Sequence, residues 1–405
     1  MKKKRRKVNG FHVVLISTCC LLTIVLVCCL SLIGIRVMNK DITEKEQPKV
    51  LQKVEKKEKE TKGSSSFSFV GMGDNLIHGA IYYWQMLEQN GYNFDDIYEL
   101  TNPYVQQADF AYLNQEVICN GEEYGLSSYP VFNAPREILD AVAHSGYDWL
   151  STSSNHSMDT GATGLLEEMN YLDKTYPEMV YTGTHTSQED RDNYKVIDLN
   201  GIKVGLLGYT YGLNGYSIPE DMPWLIDVID EDLIRSDMEK LNKISDVQIV
   251  AMHWGTEYVT SVTDEQAYYA KVLNECGVDV IIGTHPHVIE PCEIYHGEKQ
   301  DTLIYYSLGN FLSAQDTVAG MIGGMASFTL NYDFDTKEVS FKDVKFIPTV
   351  TYFNAKFTDI KTTTIHEYTD EMGSSHGTVG TTKEAVAEYV QEVVGNPEGI
   401  EVVLE

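Results

Sequence analysis

A layered α/β fold, preceded by one membrane-spanning helix, is what this 405-residue sequence predicts. Three observations carry that expectation. Short β-rich runs alternate with amphipathic helical patterns over most of the chain, the signature of stacked sheet and helix layers. Asn200-Gly201 stands between two apolar runs, the strongest short hairpin signal, so part of the sheet is antiparallel. Val8 to Ile35 contains no Asp, Glu, Lys or Arg, and about 20 apolar residues suffice to cross a bilayer as a helix.

Residues 1–10 form a basic tail with Lys2, Lys3, Lys4, Arg5, Arg6 and Lys7. The positive-inside rule keeps such a tail in the cytoplasm. Residues 11–36 are the expected transmembrane anchor. A cleaved secretory signal is the alternative, but no small-residue cleavage pattern follows, and the run is long for a signal's apolar region. No lipobox-like small residue precedes Cys19, Cys20, Cys28 or Cys29, which argues against a lipid anchor. The expected location is the cell membrane, single-pass, with the main domain extracytoplasmic. Residues 37–66 alternate Lys and Glu and end in Gly63-Ser64-Ser65-Ser66, which reads as a charged, solvated stalk.

Charge is lopsided beyond the stalk. Removing the 15 basic and 6 acidic residues before Gly63 from the chain's 31 and 60 leaves a net charge of about −38. Nucleic acid is excluded as a partner, because phosphate neutralisation needs a basic face. Any polyanion is repelled unless a cation intervenes. Only Cys119, Cys276 and Cys292 lie outside the anchor, too few for a disulfide framework. Stability must come from a large apolar core, which a region of this length can supply.

Residues 67–353 read as the main domain. Strands followed by turns are expected at "FSFVGMGD" from Phe67, "ADFAYLNQE" from Ala108, "YDWLSTSSNH" from Tyr147, "QIVAMHWG" from Gln248 and "VDVIIGTHPH" from Val278. Helical patterns fall between them, as in "TGATGLLEEMNYLDKT" from Thr160, "DEDLIRSDMEKLNKI" from Asp230 and "DEQAYYAKVLNEC" from Asp264. Two antiparallel pairs are expected, "YKVIDLNGIKVGLLGY" and "CEIYHGEKQDTLIYYSLGNF", the second turning near Gly297. "MASFTLNYD" and "VSFKDVKFIP" add late strands. Residues 354–405 read as a polar C-terminal extension with one helix at Lys383 to Val394.

The strands of parallel type end in metal-capable side chains: Asp74, Glu116, the Asn155-His156 pair, His253, and His285 with His287. Each alone has an ordinary explanation. A strand-end Asp commonly makes a turn or helix cap, Asn155 an Asx turn, Glu116 a solvated charge and His253 a half-buried packing contact. Their convergence on the carboxyl ends of strands, where open α/β sheets form ligand sites, points to metal binding. Other stretches offer less. "GMGD" at Gly71 lacks the Gly-Lys-Ser/Thr of a phosphate loop, and His366-Glu367 has Asp370 where a zinc protease needs a second histidine.

Taken in order, "GDNLIHG", "YLNQEVICNG", "STSSNHSMDTG", "MHWGTEY", "GTHPHVIEPCE" and "YSLGNF" resemble the bacterial capsule-synthesis CapA family, linked to poly-γ-glutamate. That family is similar in turn to calcineurin-like metallophosphoesterases. The resemblance implies a four-layer α-β-β-α sandwich and two divalent transition-metal ions. Asp74 would hold the first ion and Glu116 would bridge the pair. Asn155, His253 and His285 would hold the second, and His287 would reach back to the first. His156 would act catalytically near the leaving group. The usual Asp-x-His is here Asp74-Asn75-Leu76, so the first ion is expected to be weakly held, absent, or completed by His78; Glu257 and Glu293 are expected either as accessories that orient histidines or as plain surface charges. Carboxylate bridging with nitrogen and oxygen ligands suits Mn, Fe or Zn. Two such ions activate water and clamp the oxygens of a displacement at phosphorus or a carbonyl. The implied function is hydrolysis of phosphoester or polymer amide bonds, with a surface polymer or phosphoester as substrate and a capsule synthesis and export complex as partner. The alternative is a non-catalytic scaffold of that complex.

Overall fold

The computed structural model describes residues 63–88 and 91–405. The basic tail, the anchor and nearly all of the stalk lie outside the described residues. Among those described, no helix is long and apolar enough to cross a membrane.

The strands are β1 (Ser64–Asn75), β2 (Phe110–Asn114), β3 (Trp149–Ser151), β4 (Val180–Thr182), β5 (Lys195–Leu199), β6 (Ile202–Thr210), β7 (Val247–His253), β8 (Val280–Thr284), β9 (Cys292–His296), β10 (Asp301–Tyr305), β11 (Asn310–Leu312), β12 (Ile322–Asp333), β13 (Val339–Phe353), β14 (Ile360–Thr364) and β15 (Glu401–Val402). They make two mixed sheets. The nine-stranded sheet runs β14-β13-β12-β1-β2-β3-β4, with β11 on β1 and β15 on β13; the six-stranded sheet runs β5-β6-β7-β8-β10-β9. β1 to β4 are parallel neighbours, as are β6, β7, β8 and β10.

Side-chain alternation decides the packing. Successive residues of a strand face opposite sides, and here each side meets a different core. In β7, Ile249 and Ala251 enter a core shared with Phe69, Phe110, Trp149 and Phe346 of the other sheet. Val250 and Met252 enter a second core with Ile234, Met238 and Leu273 from the helices Glu231–Leu241 and Asp264–Glu275. In β1, Phe67 and Phe69 join the shared core, while Val70 and Met72 pack with Ile138, Leu139, Leu165 and Met169 from the helices Glu137–Ser145 and Gly161–Thr175.

Local signals account for the element ends. Asn200 at φ 58° and Gly201 at φ 90° both take positive φ between β5 and β6, as the two-residue hairpin turn requires. Asp230 caps its helix by accepting from Leu233 N at 2.9 Å, and Thr263 with Gln266 forms a full capping box. Gly297 turns the β9–β10 hairpin, its N–H on Gln300 O. Cys119, Cys276 and Cys292 are free thiols. Two expectations need correcting. β1 starts at Ser64, three residues ahead of Phe67. The segment 354–405 is part of the first sheet rather than an appendage: β14 and β15 pair with β13, and the segment holds two helices, Asp370–Ser375 and Lys383–Val393.

Candidate metal centre

The carboxyl ends of parallel strands from both sheets meet at one place. β1 supplies Asp74 near its end; Glu116 follows β2 by two residues; Asn155 and His156 lie in the loop after β3. From the other sheet, β7 ends on His253, and the loop after β8 carries His285 and His287. All seven are buried. Close backbone approach makes the meeting possible. A Cβ on Gly73 would stand 1.9 Å from Gly309 O, and one on Gly283 1.9 Å from Tyr306 O, so only glycine fits immediately before the loops.

The two histidines of "GTHPH" are held at φ 100° for His285 and φ 60° for His287. Positive φ in a residue with a Cβ costs of order 1–3 kcal/mol and persists where surrounding contacts impose it. Those contacts are present. The His285 N–H faces Asp74 Oδ1 and Oδ2, each at 3.3 Å, and Pro286 O accepts from Tyr258 N at 2.8 Å. Pro286 itself removes one backbone freedom between them.

Distances within the cluster are short. Ligand atoms of Glu116, His285 and His287 all lie within 4.8 Å of one another. His287 Nε2 is 3.6 Å from Glu116 Oε1 and its Nδ1 is 3.3 Å from Asp74 Oδ2. His253 Nε2 stands 4.0 Å from Glu116 Oε1 and 2.9 Å from Asn155 Oδ1. Two ligands at right angles on one ion, with bonds of about 2.1 Å, are separated by about 3 Å. The structure thus brings together Asp74, Glu116, Asn155, His253, His285 and His287.

The decisive observation is what these groups lack. Both oxygens of Glu116 are fully buried without a hydrogen-bond partner, and so is His285 Nδ1. A buried polar atom without a partner costs about 1–3 kcal/mol, and more if charged. Burial, reinforced by Asp74 and Glu257, pushes the Glu116 carboxyl well above its usual range. Burial also depresses His253 well below its ordinary value and His285 to about 3. It would lower His287 too, but the Glu116 and Asp74 carboxylates overrule it and raise that ring to about 9. Neutral imidazoles at His253 and His285, facing the buried carboxyl of Glu116 whose oxygens have no partner, are the donor set that a divalent cation satisfies. The residues present fit such an ion.

Residues 68–315 match the family model described as "Bacterial capsule synthesis protein PGA_cap". The chain belongs to this family. It is 27% identical over 253 residues to the PGA biosynthesis protein CapA of Bacillus subtilis, covering 62% of this chain and 63% of that one. It is 28% identical over 236 residues to the capsule biosynthesis protein CapA of Bacillus anthracis, with 56% of each chain covered. The chain thus spans less than two thirds of these relatives' own length. Among solved structures, it aligns with a phosphatase from Mycoplasma pneumoniae at 15% identity and a TM-score of 0.41, over 71% of this chain and 94% of that one.

In this family member His156 sits beside the cluster with its own partner. Its Nδ1 is 2.7 Å from Asp159 Oδ2, a buried carboxylate, which places the proton on Nδ1 and leaves Nε2 as the free nitrogen. Phe132 stacks edge-on at 4.7 Å. The accessory candidates separate. His78 accepts from Ala314 N at 3.3 Å through Nδ1 and packs on Phe132 at 5.4 Å, and burial lowers it to about 4; it stands beside the ligand cluster, not in it. Glu257 is exposed, yet near enough to act on Glu116 and His287. Glu293 turns to Tyr306 Oη, 2.8 Å away, so it orients none of the site histidines.

That orienting role belongs to residues the sequence reading left unassigned. Asn310 Nδ2 faces three acceptors, His287 O, Gln315 Oε1 and Gly320 O. Its Oδ1 therefore points at His287 Nδ1, 3.1 Å away. That contact holds a proton on Nδ1 and turns Nε2 toward Glu116. Thr284 Oγ1 meets His253 Nδ1 at 3.1 Å, and Asn114 Nδ2 donates to Asp74 Oδ1 at 2.8 Å. Asn114 and Asn310 lie inside the motifs "YLNQE" and "YSLGNF", the one signal that could have found them. A separate cavity of about 660 Å³, lined by Tyr92, Asn120, Arg136 and Tyr171 among others, contains none of the site residues.

Proposed function

We propose that the chain is a membrane-anchored extracytoplasmic protein of capsule or poly-γ-glutamate biosynthesis and export. Its outer region, a four-layer α-β-β-α sandwich of the metallophosphoesterase type, is a metal-dependent hydrolase of phosphoester or polymer amide bonds. The observation that carries the enzymatic reading is the pair of partnerless, buried Glu116 oxygens inside a ring of three imidazoles. Asp74, Glu116 and His287 would hold one ion, and Glu116, Asn155, His253 and His285 would hold a second. Bound, the ions supply Lewis acidity and an activated water. Thr284, Asn114 and Asn310 hold the ligands in register. His156, its Nδ1 proton anchored by Asp159, takes a proton from water on its free Nε2 and, as the imidazolium, returns it from Nε2 to the departing oxygen or nitrogen. The site's burial excludes bulk water, which strengthens each of these interactions.

The anchor reading rests on the uncharged run Val8 to Ile35 and the basic residues before it. Protease added to intact cells, with any wall removed, should trim everything beyond the stalk; full protection of the outer region overturns it. The scaffold alternative is favoured by one feature, the absence of an Asp-x-His and the position of His78 outside the cluster, which leaves the first ion few protein ligands. The full-length chain, loaded with Mn, should hydrolyse a generic phosphodiester or polyglutamate and contain stoichiometric transition metal. No metal after reloading, or unchanged surface polymer in cells carrying His253→Ala with His285→Ala, would favour the scaffold.

A further inference from the structure

The loop that leaves β6 touches three of the four residues placed on the second ion. Tyr211 N–H donates to His253 O at 2.9 Å, and the Tyr211 ring packs 4.4 Å from the His285 ring. Three residues on, Asn214 reaches the loop after β3 in the other sheet, where its Oδ1 accepts from Asn155 Nδ2 at 3.2 Å. Asn155 Oδ1 in turn points at His253 Nε2, 2.9 Å away, a spacing that suits two ligands at right angles on one ion.

The backbone of Asn214 has an ordinary explanation. At φ 49°, with Gly215 following at φ 84°, it makes a tight left-handed turn, a conformation that asparagine takes more readily than most residues with a Cβ. A turn does not dictate where the side chain points, and here the amide points into the site. Asn155 has a use for it. The backbone around Asn155 is held by Ser154 Oγ, which donates to Glu116 O and accepts from His156 N, and by Ser157 Oγ, which donates to Thr152 O and accepts from Ser154 N. Those bonds hold the backbone, not the amide. A primary amide presents its oxygen and its nitrogen with nearly the same shape, and only the oxygen ligates a cation. An acceptor on Nδ2 selects the orientation with Oδ1 inward and polarises the amide, which makes that oxygen the better ligand. Asn214 Nδ2 stands 3.4 Å from His156 Nδ1. The proton of that ring nitrogen goes to Asp159 at 2.7 Å, so the approach is a packing contact and leaves Asn214 Oδ1 for Asn155.

We infer that Asn214 is a positioning residue for metal binding: its side-chain oxygen holds the Asn155 amide with Oδ1 turned toward His253 and the second ion. The inference rests on the metal reading of the site and adds to it a residue outside the motifs that carry the family resemblance. The loop between β6 and the helix Glu231–Leu241 thereby sets the affinity of the second ion.

The test uses the full-length chain in detergent, freed of metal by chelator and titrated calorimetrically with Mn, with Tm read in chelator and with Mn. Asn214→Gly removes the acceptor and keeps the turn, because glycine takes positive φ without strain. It should lower the affinity for the second ion by about 10–100-fold and leave the Tm in chelator near that of the parent. Asn214→Asp, which keeps an acceptor oxygen and tolerates positive φ, should restore binding. Asn155→Ala combined with Asn214→Gly should bind no more weakly than Asn155→Ala alone, since the two residues act through one contact. Losses that add in the double variant, or an Asn214→Asp as weak as Asn214→Gly, would overturn the inference. So would a loss of binding that comes with a collapse of Tm in chelator, the mark of a turn residue alone. A parent that binds no Mn overturns the metal reading and the inference with it, whereas a parent that binds beside an unaffected Asn214→Gly overturns the inference alone.

Discussion

Replacing Glu116 by methionine should stabilise the metal-free protein and abolish its response to metal. The side chains are of similar length, so the substitution removes two buried, partnerless oxygens while keeping most of the volume. Each unsatisfied buried group costs about 1–3 kcal/mol. Against this stands the loss of any attraction to His287, whose ring remains 3.3 Å from Asp74 Oδ2 in the variant. Burial raises the Glu116 carboxyl and so opposes its charge; the lost attraction offsets part of the relief, and a net gain of about 1–2 kcal/mol follows. With an unfolding entropy of about 2.1 cal/mol/K per residue over roughly 340 residues, the gain is a rise in Tm of about 1.5–3 °C. In the parent, metal at about 100 times its Kd adds about 2.7 kcal/mol, or about 4 °C, and in the variant it adds almost nothing. Calorimetry at neutral pH with chelator, then with Mn, Fe and Zn, reads both effects. A variant that melts below the parent in chelator and still responds to metal refutes the reasoning, for Glu116 would then be a satisfied structural group.

Asn310→Ala should lower the affinity for the ion at His287 by about 10–100-fold, read by metal titration, because the ring loses the contact that holds its Nδ1 proton. Asp159→Asn should leave metal content unchanged and reduce turnover of a phosphodiester by about 10²–10⁴-fold, since His156 loses its Nδ1 anchor. Glu168 is raised to about 7, first by burial and against the Cys119 N–H bond it accepts. Its folded pKa exceeds the unfolded value of about 4.3, so the native state holds the extra proton, and stability falls as pH rises between those values. Glu168→Gln should therefore gain on the parent by up to about 4 kcal/mol between pH ~4.3 and ~7, then keep a constant lead. Urea titrations across pH 4–8 check this, and a pH-independent difference would count against it.

The fold was legible wherever the signal is local. Asn200-Gly201 forecast the β5–β6 turn because two successive positive-φ residues suit little else. Thr263 with Gln266 opens its helix for reasons contained in four residues. The start of β1 was misjudged because Ser64 to Ser66 are polar and gain their strand form from pairing with Asn331 to Asp333. The polar C-terminal extension shows only one helix in the sequence for the same reason, since Ile360 to Thr364 becomes a strand only against β13. Within the site, the ligand-type residues stood out by chemistry at strand ends. Asn310 and Asn114 did not, because an asparagine in a motif has no distinctive role until its amide partners are known.

By itself the sequence determined which side chains are available and where the chain turns: the strand-end carboxylates and imidazoles, the rigid His285-Pro286-His287 segment, the hairpin, the caps and the acidic balance. These follow from properties of neighbouring residues, namely backbone preference, side-chain period and charge. Only the tertiary structure decided that Asp74 and Glu116 of one sheet would face His253, His285 and His287 of the other, that the Glu116 oxygens would be left without donors, and that Glu293 and His78 would fall outside the cluster. The physical reason is that those distances are set by two sheets packing through a shared apolar core, a long-range outcome that no stretch of sequence contains.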